Sequence, residues 1–191
     1  QKINYVEKSV LDKMCGGVHQ GIAMEVDDFE YTDLEDLLDQ DPCTLLFLDH
    51  LEDPHNLGAI IRTAEASGIQ GIVIPRNRSV EVNATVLKTS VGSANHLPIC
   101  QVTNLVDTMS KLKKQGFWVV GTDMNGEDFK KIDYRGKTII VIGNEGKGMS
   151  ELVRKNCDFI ASIPMYGTVN SLNASVAAAL FIYEAVRQIR E

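Results

Sequence analysis

Three short segments concentrate the residues that could do chemistry. The first is Asp49-His50-Leu51-Glu52-Asp53-Pro54-His55-Asn56-Leu57-Gly58. Two histidines and three carboxylates fall within seven residues, a donor set that suits zinc or manganese. The spacing argues against a metal: His50 and His55 are five apart with Pro54 between them, not at i, i+4 on a helix. What remains is a polar loop feeding a helix, with Asn56 near its N-cap and Arg62 about two turns further on. An Asn there is ordinarily a cap, and an Arg on a helix is ordinarily solvated. Their place between a strand and a helix adds a second reading, as site residues.

The second segment is Gly143-Asn144-Glu145-Gly146-Lys147-Gly148-Met149-Ser150. It matches neither G-x-x-x-x-G-K-[ST] nor G-x-G-x-x-G, so it is not a standard phosphate cradle. Its glycines imply unusual backbone angles or a close approach to the main chain. Glu145 is a poor neighbour for phosphate and a better partner for a hydroxyl, an amine or an arginine. A tight turn with a surface Glu is the plainer alternative. The third segment, residues 163–175, reads Ile-Pro-Met-Tyr-Gly-Thr-Val-Asn-Ser-Leu-Asn-Ala-Ser. Small polar residues gather there where a helix N-terminus offers unpaired N–H groups. Ser171 or Asn173 could simply cap that helix.

These segments need elements to hold them. Apolar runs at 44–48, 71–74, 97–100, 117–121, 138–142 and 159–163 predict strands. Helical patterns lie between them at 57–66, 80–90 and 105–115, after Ser150 to 156, and over 171–190. Strands alternating with helices predict an α/β fold, a parallel sheet covered by helices on both faces. Ligands of such sheets bind beyond the carboxyl ends of the strands, where all three segments fall. Residues 25–41 are rich in carboxylates, with Leu34, Leu37 and Leu38 at helical spacing, and read as an acidic surface connector. The glycine-rich run 15–21 reads as a loop.

At 191 residues the chain is long enough for one full-sized core without a disulfide or metal staple. Cys15, Cys43, Cys100 and Cys157 are far apart and form no C-x-x-C pair, which suits a reducing cytoplasm. No apolar run is long enough for a membrane helix, so no membrane partner is expected. The first residue is Gln, and a missing upstream segment is expected. The net charge of -7 counts against a nucleic-acid partner, which usually meets a basic footprint.

The ordered set N-x-G-x-x-x-R (Asn56, Gly58, Arg62), G-N-E-G-x-G (Gly143 to Gly148) and I-P-M-x-G-x-x-x-S-L-N-x-S (Ile163 to Ser175) resembles the three signature motifs of the SpoU, or TrmH-type, RNA 2′-O-methyltransferases of the SPOUT superfamily. The likeness spans about residues 44–191 and is nearest to the RlmB-like enzymes that methylate a guanosine 2′-hydroxyl of 23S rRNA. Those carry a small L30e-like RNA-binding domain ahead of the catalytic one. Val18-His19-Gln20-Gly21-Ile22-Ala23 is similar to its end. On that likeness residues 1–42 are a remnant of that domain with its acidic linker, and 43–191 the catalytic domain.

The resemblance implies S-adenosylmethionine as methyl donor, RNA rather than DNA as partner, a homodimer, a deep C-terminal trefoil knot and no metal. It places the cofactor against Thr122, Gly143, Asn144, Glu145, Gly148, Ile163, Met165, Ser171, Leu172 and Asn173. It places catalysis on Asn56, Arg62, Glu145, Ser171 and Asn173. A ribose hydroxyl must lose its proton as it attacks, and the matching residue is Arg62. An arginine is a poor base, so Arg62 either works in a site that stabilises its neutral form or orients a phosphate. Asn56 and Glu145 are expected to hold its guanidinium. Arg76, Arg78, Lys88, Lys147, Arg154 and Lys155 are expected to form a local basic track, in answer to the acidic net charge. A tRNA target and a non-catalytic knotted RNA-binding factor are the alternatives.

Overall fold

The computed structural model describes residues 3–15, 19–25 and 27–191. Gly16, Gly17 and Val18 of the expected loop, and Val26 of the acidic connector, lie outside the described residues. The chain forms two compact units, residues 1–30 and 31–191. In the first, helix α1 (Lys8–Cys15) has no buried residue. His19 Nδ1 accepts from the Gly21 amide at 2.9 Å, so Nε2 carries the proton toward the Asp12 carboxylate 3.0 Å away.

The second unit opens earlier than the sequence pattern suggests. Leu37, in the short 3-10 turn Leu34–Leu37, is 4% exposed and packs into the core. The Thr32 amide donates to the Ile99 carbonyl. The acidic connector is thus attached by its leucines, not merely solvated by its carboxylates.

Six parallel strands follow: β1 (Cys43–Leu48), β2 (Gly71–Pro75), β3 (Ile99–Val102), β4 (Trp118–Asp128), β5 (Lys137–Ile142) and β6 (Phe159–Ser162). Their order across the sheet is β3-β2-β1-β5-β4-β6. Between them lie helices α2 (Pro54–Ser67), α3 (Ala84–Thr89), α4 (Leu105–Lys113) and α5 (Glu151–Lys155), and α6 (Ala174–Arg190) closes the chain. Every residue of β1 is buried, as expected for a central strand covered on both faces. Leu45 and Phe47 of β1 pack with Val119 of β4, Ile139 and Val141 of β5, and Leu105, Met109 and Leu112 of α4. The intervening Leu46, Leu48, Val120, Ile140 and Ile142 point to the opposite face. There α2 and α6 pack on each other and on the sheet.

Three helix starts differ from the sequence reading for a local reason, and β3 lies two residues later than expected, at Ile99–Val102. Helix α3 starts at Ala84 because Asn83 caps it, accepting from the Thr85 and Val86 amides at 3.0 and 3.1 Å. Helix α6 starts at Ala174, leaving Ser171 outside it, because the Asn173 side chain accepts from the Ser175 amide at 2.9 Å. Asn56 is not the cap of α2; Asp53 is, accepting from the His55 amide at 2.9 Å, with Pro54 in the first helical turn. Strand β4 also runs on past the apolar stretch. It pairs with β6 at Thr122↔Ala161, then again at Glu127↔Ala161, and the residues between bulge out. Gly126 permits this: a Cβ there would lie 2.6 Å from the Ile160 carbonyl oxygen.

Candidate functional site

Because every strand is parallel, all the strand-to-helix loops emerge on one edge of the sheet. The bulge of β4 and the loops after β5 and β6 surround an open cleft of about 850 Å³. Thr122, Gly143, Asn144, Glu145, Gly148, Ile163, Met165, Ser171 and Leu172 line it; Asn173, Asn56 and Arg62 do not. The β4 bulge contributes Asp123, Met124 and Asn125 to the wall, and α6 contributes Ala174, Ala177 and Phe181. The size suits a small-molecule cofactor.

The glycine-rich loop holds its shape through its own backbone. Asn144 and Gly148 exchange both main-chain hydrogen bonds, at 3.0 and 2.9 Å. A Cβ on Gly143 would lie 2.3 Å from the Met149 nitrogen, so the turn closes only over a glycine. The Asn144 side chain accepts from the Gly146 and Lys147 amides and donates to the His50 carbonyl at 2.8 Å. Asp49, 1% exposed, accepts from the Ser150 amide and contacts His50 Nδ1, both at 2.6 Å. Asp49 thus fastens the β1 loop to the β5 loop, a role hidden among the carboxylates of its segment. The visible sign was an Asp directly following a strand that is apolar but for Thr44. Thr122 spends its hydroxyl on the Val141 carbonyl at 2.9 Å, leaving its backbone to face the cleft.

A chain of side chains then links all three segments. Asn173 Nδ2 donates to Asn56 Oδ1 at 2.9 Å, and Asn56 Nδ2 donates to Glu145 Oε1 at 2.9 Å. Its direction is set by the helix. Asn173 Oδ1 is committed to the Ser175 amide and hydroxyl at the start of α6, so its NH₂ must face Asn56. Asn56 must then turn its own NH₂ to Glu145, which is held as an acceptor. Asn56 is 7% exposed, so these bonds are not readily replaced by water.

Arg62 departs from expectation. Asn56 and Glu145 bond each other, not its guanidinium. Six residues along a helix put Arg62 about 120° round from Asn56 and about 9 Å further on. Its side chain is exposed and, among the described residues, makes no hydrogen bond or ion pair. Ser171 is likewise exposed, on the cleft wall, without a hydrogen bond among the described residues.

Among the described residues no group of His, Cys, Asp and Glu could hold a metal ion, and no helix is long and apolar enough to cross a membrane. Three thiols are not poised as nucleophiles: burial pushes Cys43 up to about 11, and Cys100 and Cys157 up to about 12.

Residues 44–183 match the model of the SpoU rRNA Methylase family. The chain belongs to that family. Residues 1–32 match a second model, RNA 2'-O ribose methyltransferase substrate binding. A Bacillus subtilis (strain 168) relative, named "Putative TrmH family tRNA/rRNA methyltransferase YacO", is 49% identical over 193 residues, covering 97% of this chain and 77% of its own length. A Staphylococcus aureus (strain COL) relative of the same description is 48% identical over 192 residues, with the same coverage. Among solved SpoU structures, AviRb of Streptomyces viridochromogenes in complex with the cofactor AdoMet superposes with a TM-score of 0.76 at 33% identity, over 84% of this chain and 66% of that one. The AdoMet-bound rRNA methyltransferase of Sinorhizobium meliloti gives 0.77 at 32% identity, over 83% and 61%. This chain therefore spans less than two thirds of each of those two solved chains.

Proposed function

We propose that this SpoU-family chain binds S-adenosylmethionine in the cleft and methylates a ribose 2′-hydroxyl of RNA, with a guanosine of 23S rRNA as target. The observation that carries the reading is the convergence of loops from three strands on one cleft, joined by the Asn173–Asn56–Glu145 chain. The cleft suits such a cofactor: apolar surface from Ile163, Met165 and Leu172 for a flat ring, and the glycine-rich run Gly143–Gly148 for its polar edge. When bound, the cofactor supplies a methyl group activated by a sulfonium.

The protein's part is alignment and removal of the hydroxyl proton. Glu145 is exposed and keeps its second carboxylate oxygen free for a hydroxyl or a cation. Asn56 and Asn173 are positioning residues that fix the first oxygen. Arg62, free on the surface of α2, orients the RNA phosphate or takes up the proton. A homodimer is part of the same proposal. It is supported by Val176, Leu180 and Tyr183, 48%, 40% and 52% exposed at i, i+4 and i+7 on α6, a stripe that a second copy would cover. The C-terminal trefoil knot belongs to it as well, as does an RNA-binding role for the N-terminal residues, supported by the match over 1–32.

Calorimetric titration with S-adenosylmethionine tests the reading, with NAD and ATP as controls. Saturable binding at one site per chain, and none of either control, is expected. No binding by folded, dimeric protein would favour a non-catalytic RNA-binding role.

A further inference from the structure

We propose that the loop joining β2 to α3 holds the RNA strand by its phosphates, through Arg76 and Arg78. The proposal deepens the methyltransferase reading and rests on it. The sheet order divides the carboxyl edge. The cleft takes the loops of β5 and β6 and the β4 bulge, the β1 loop leading into α2 and Asn56 stands at its border, and the β2 loop is the next one out. Two strand spacings separate β2 from β5, about 10 Å. A strand whose ribose reaches the Asn56–Glu145 border therefore has its neighbouring phosphates within reach of the β2 loop.

Arg76 and Arg78 are both exposed, and among the described residues neither guanidinium makes a hydrogen bond or an ion pair. Glu81, the nearest carboxylate along the chain, pairs with neither. The backbone beneath them is nonetheless fixed. The Arg76 amide donates to the Val102 carbonyl at 2.8 Å, and the Ser79 hydroxyl and Val80 amide both donate to the Leu51 carbonyl, at 3.1 and 2.7 Å. The loop is thus tied directly to the segment that carries Asn56. Arg78 itself is held at φ 57°, a left-handed conformation that costs a non-glycine residue energy. Free cations on a fixed, strained backbone are an arrangement organised before its ligand arrives.

The other cations of the expected basic track behave differently. Arg154 is paired with Asp123 at 2.8 Å and Lys155 with Glu151 at 2.6 Å, so neither offers a whole charge to RNA. The track contracts to Arg76, Arg78, Lys88 and Lys147, whose side chains have no partner among the described residues. In a chain of net charge -7, such a local patch decides where a polyanion can land. A guanidinium fork matches the geometry of a phosphate.

The test is binding of a fluorescein-labelled, mixed-sequence single-stranded RNA oligonucleotide to the full chain across a salt series. Arg76→Ala and Arg78→Gly are compared with Arg78→Lys; glycine accepts the positive φ, so Arg78→Gly removes the charge without adding strain. Each charge-removing variant should weaken binding roughly threefold to tenfold and lower the salt slope by about 0.7, and the double variant by about 1.4. Arg78→Lys should keep most of the affinity, and calorimetric affinity for S-adenosylmethionine should stay at the wild-type value in all of them. Wild-type RNA affinity and slope in the double variant would overturn the proposal, as would a loss of affinity with unchanged slope. Failure of the wild-type chain to bind S-adenosylmethionine is read separately and counts against the methyltransferase reading itself.

Discussion

The loops after β5 and β6 wall in a cleft, with Gly143, Gly146, Gly148 and Gly167 among its lining beside both polar and apolar side chains, whereas the loop after β2 presents Arg76 and Arg78 on a tied-down main chain. The first half offers shape: Gly143 lets the turn fold back on itself, and Met165 and Leu172 give apolar surface. The second offers charge without enclosure. A cofactor without phosphate needs the former, and a polyanion held by its backbone needs the latter. Between them stand Asn56 and Glu145, where the reacting groups of the two ligands would meet.

That division can be broken in graded ways. The largest effect is expected at Arg62→Ala, which should slow methyl transfer by roughly 10²- to 10⁴-fold while leaving S-adenosylmethionine affinity unchanged by calorimetry; ordinary turnover would remove Arg62 from the site. Next comes Glu145→Ala, expected to slow single-turnover transfer about 10- to 100-fold, because the border loses its acceptor. Gly143→Ala attacks only the cleft half. It should weaken the cofactor by about 10- to 100-fold and leave binding of the RNA oligonucleotide at its wild-type value. Equal losses of both ligands would show that the two halves are not separable.

The smallest change probes the border's polarity. Asn173→Asp keeps a helix cap but turns the donor facing Asn56 into an acceptor. Asn56 must then flip or lose a bond, and either way an oxygen faces an oxygen. A stability loss of about 1–3 kcal/mol in urea unfolding is expected. The double variant Asn173→Asp, Asn56→Ala should lose less than the sum of the single changes, since the partner of the clash is gone.

Much of this was legible in the residues. Cys43–Leu48 and Lys137–Ile142 are apolar throughout or nearly so and short, and could hardly be anything but central strands. The three polar segments stood out because each follows such a run. What stayed hidden depended on pairings between distant residues or on which of several local partners a side chain takes. The β4 bulge is a polar stretch that resembles an ordinary turn, and only the β6 backbone pressed against Gly126 shows why it lines the cleft. Asn56 read as a cap because Asn so often is one, while Asp53, three residues earlier, took that role. Arg62 was expected beside Asn56 from their shared motif, but helical geometry sends the two side chains in different directions. The six-residue basic track lost Arg154 and Lys155 to partners that sequence proximity alone could not reveal as decisive.

Amide hydrogen exchange of the full chain, with and without saturating S-adenosylmethionine, tests the divided edge most directly. Protection is expected in peptides covering 121–126, 143–149 and 163–173, with exchange of 76–82 unchanged. No protection at 143–149, or protection centred on the β2 loop, would contradict the account.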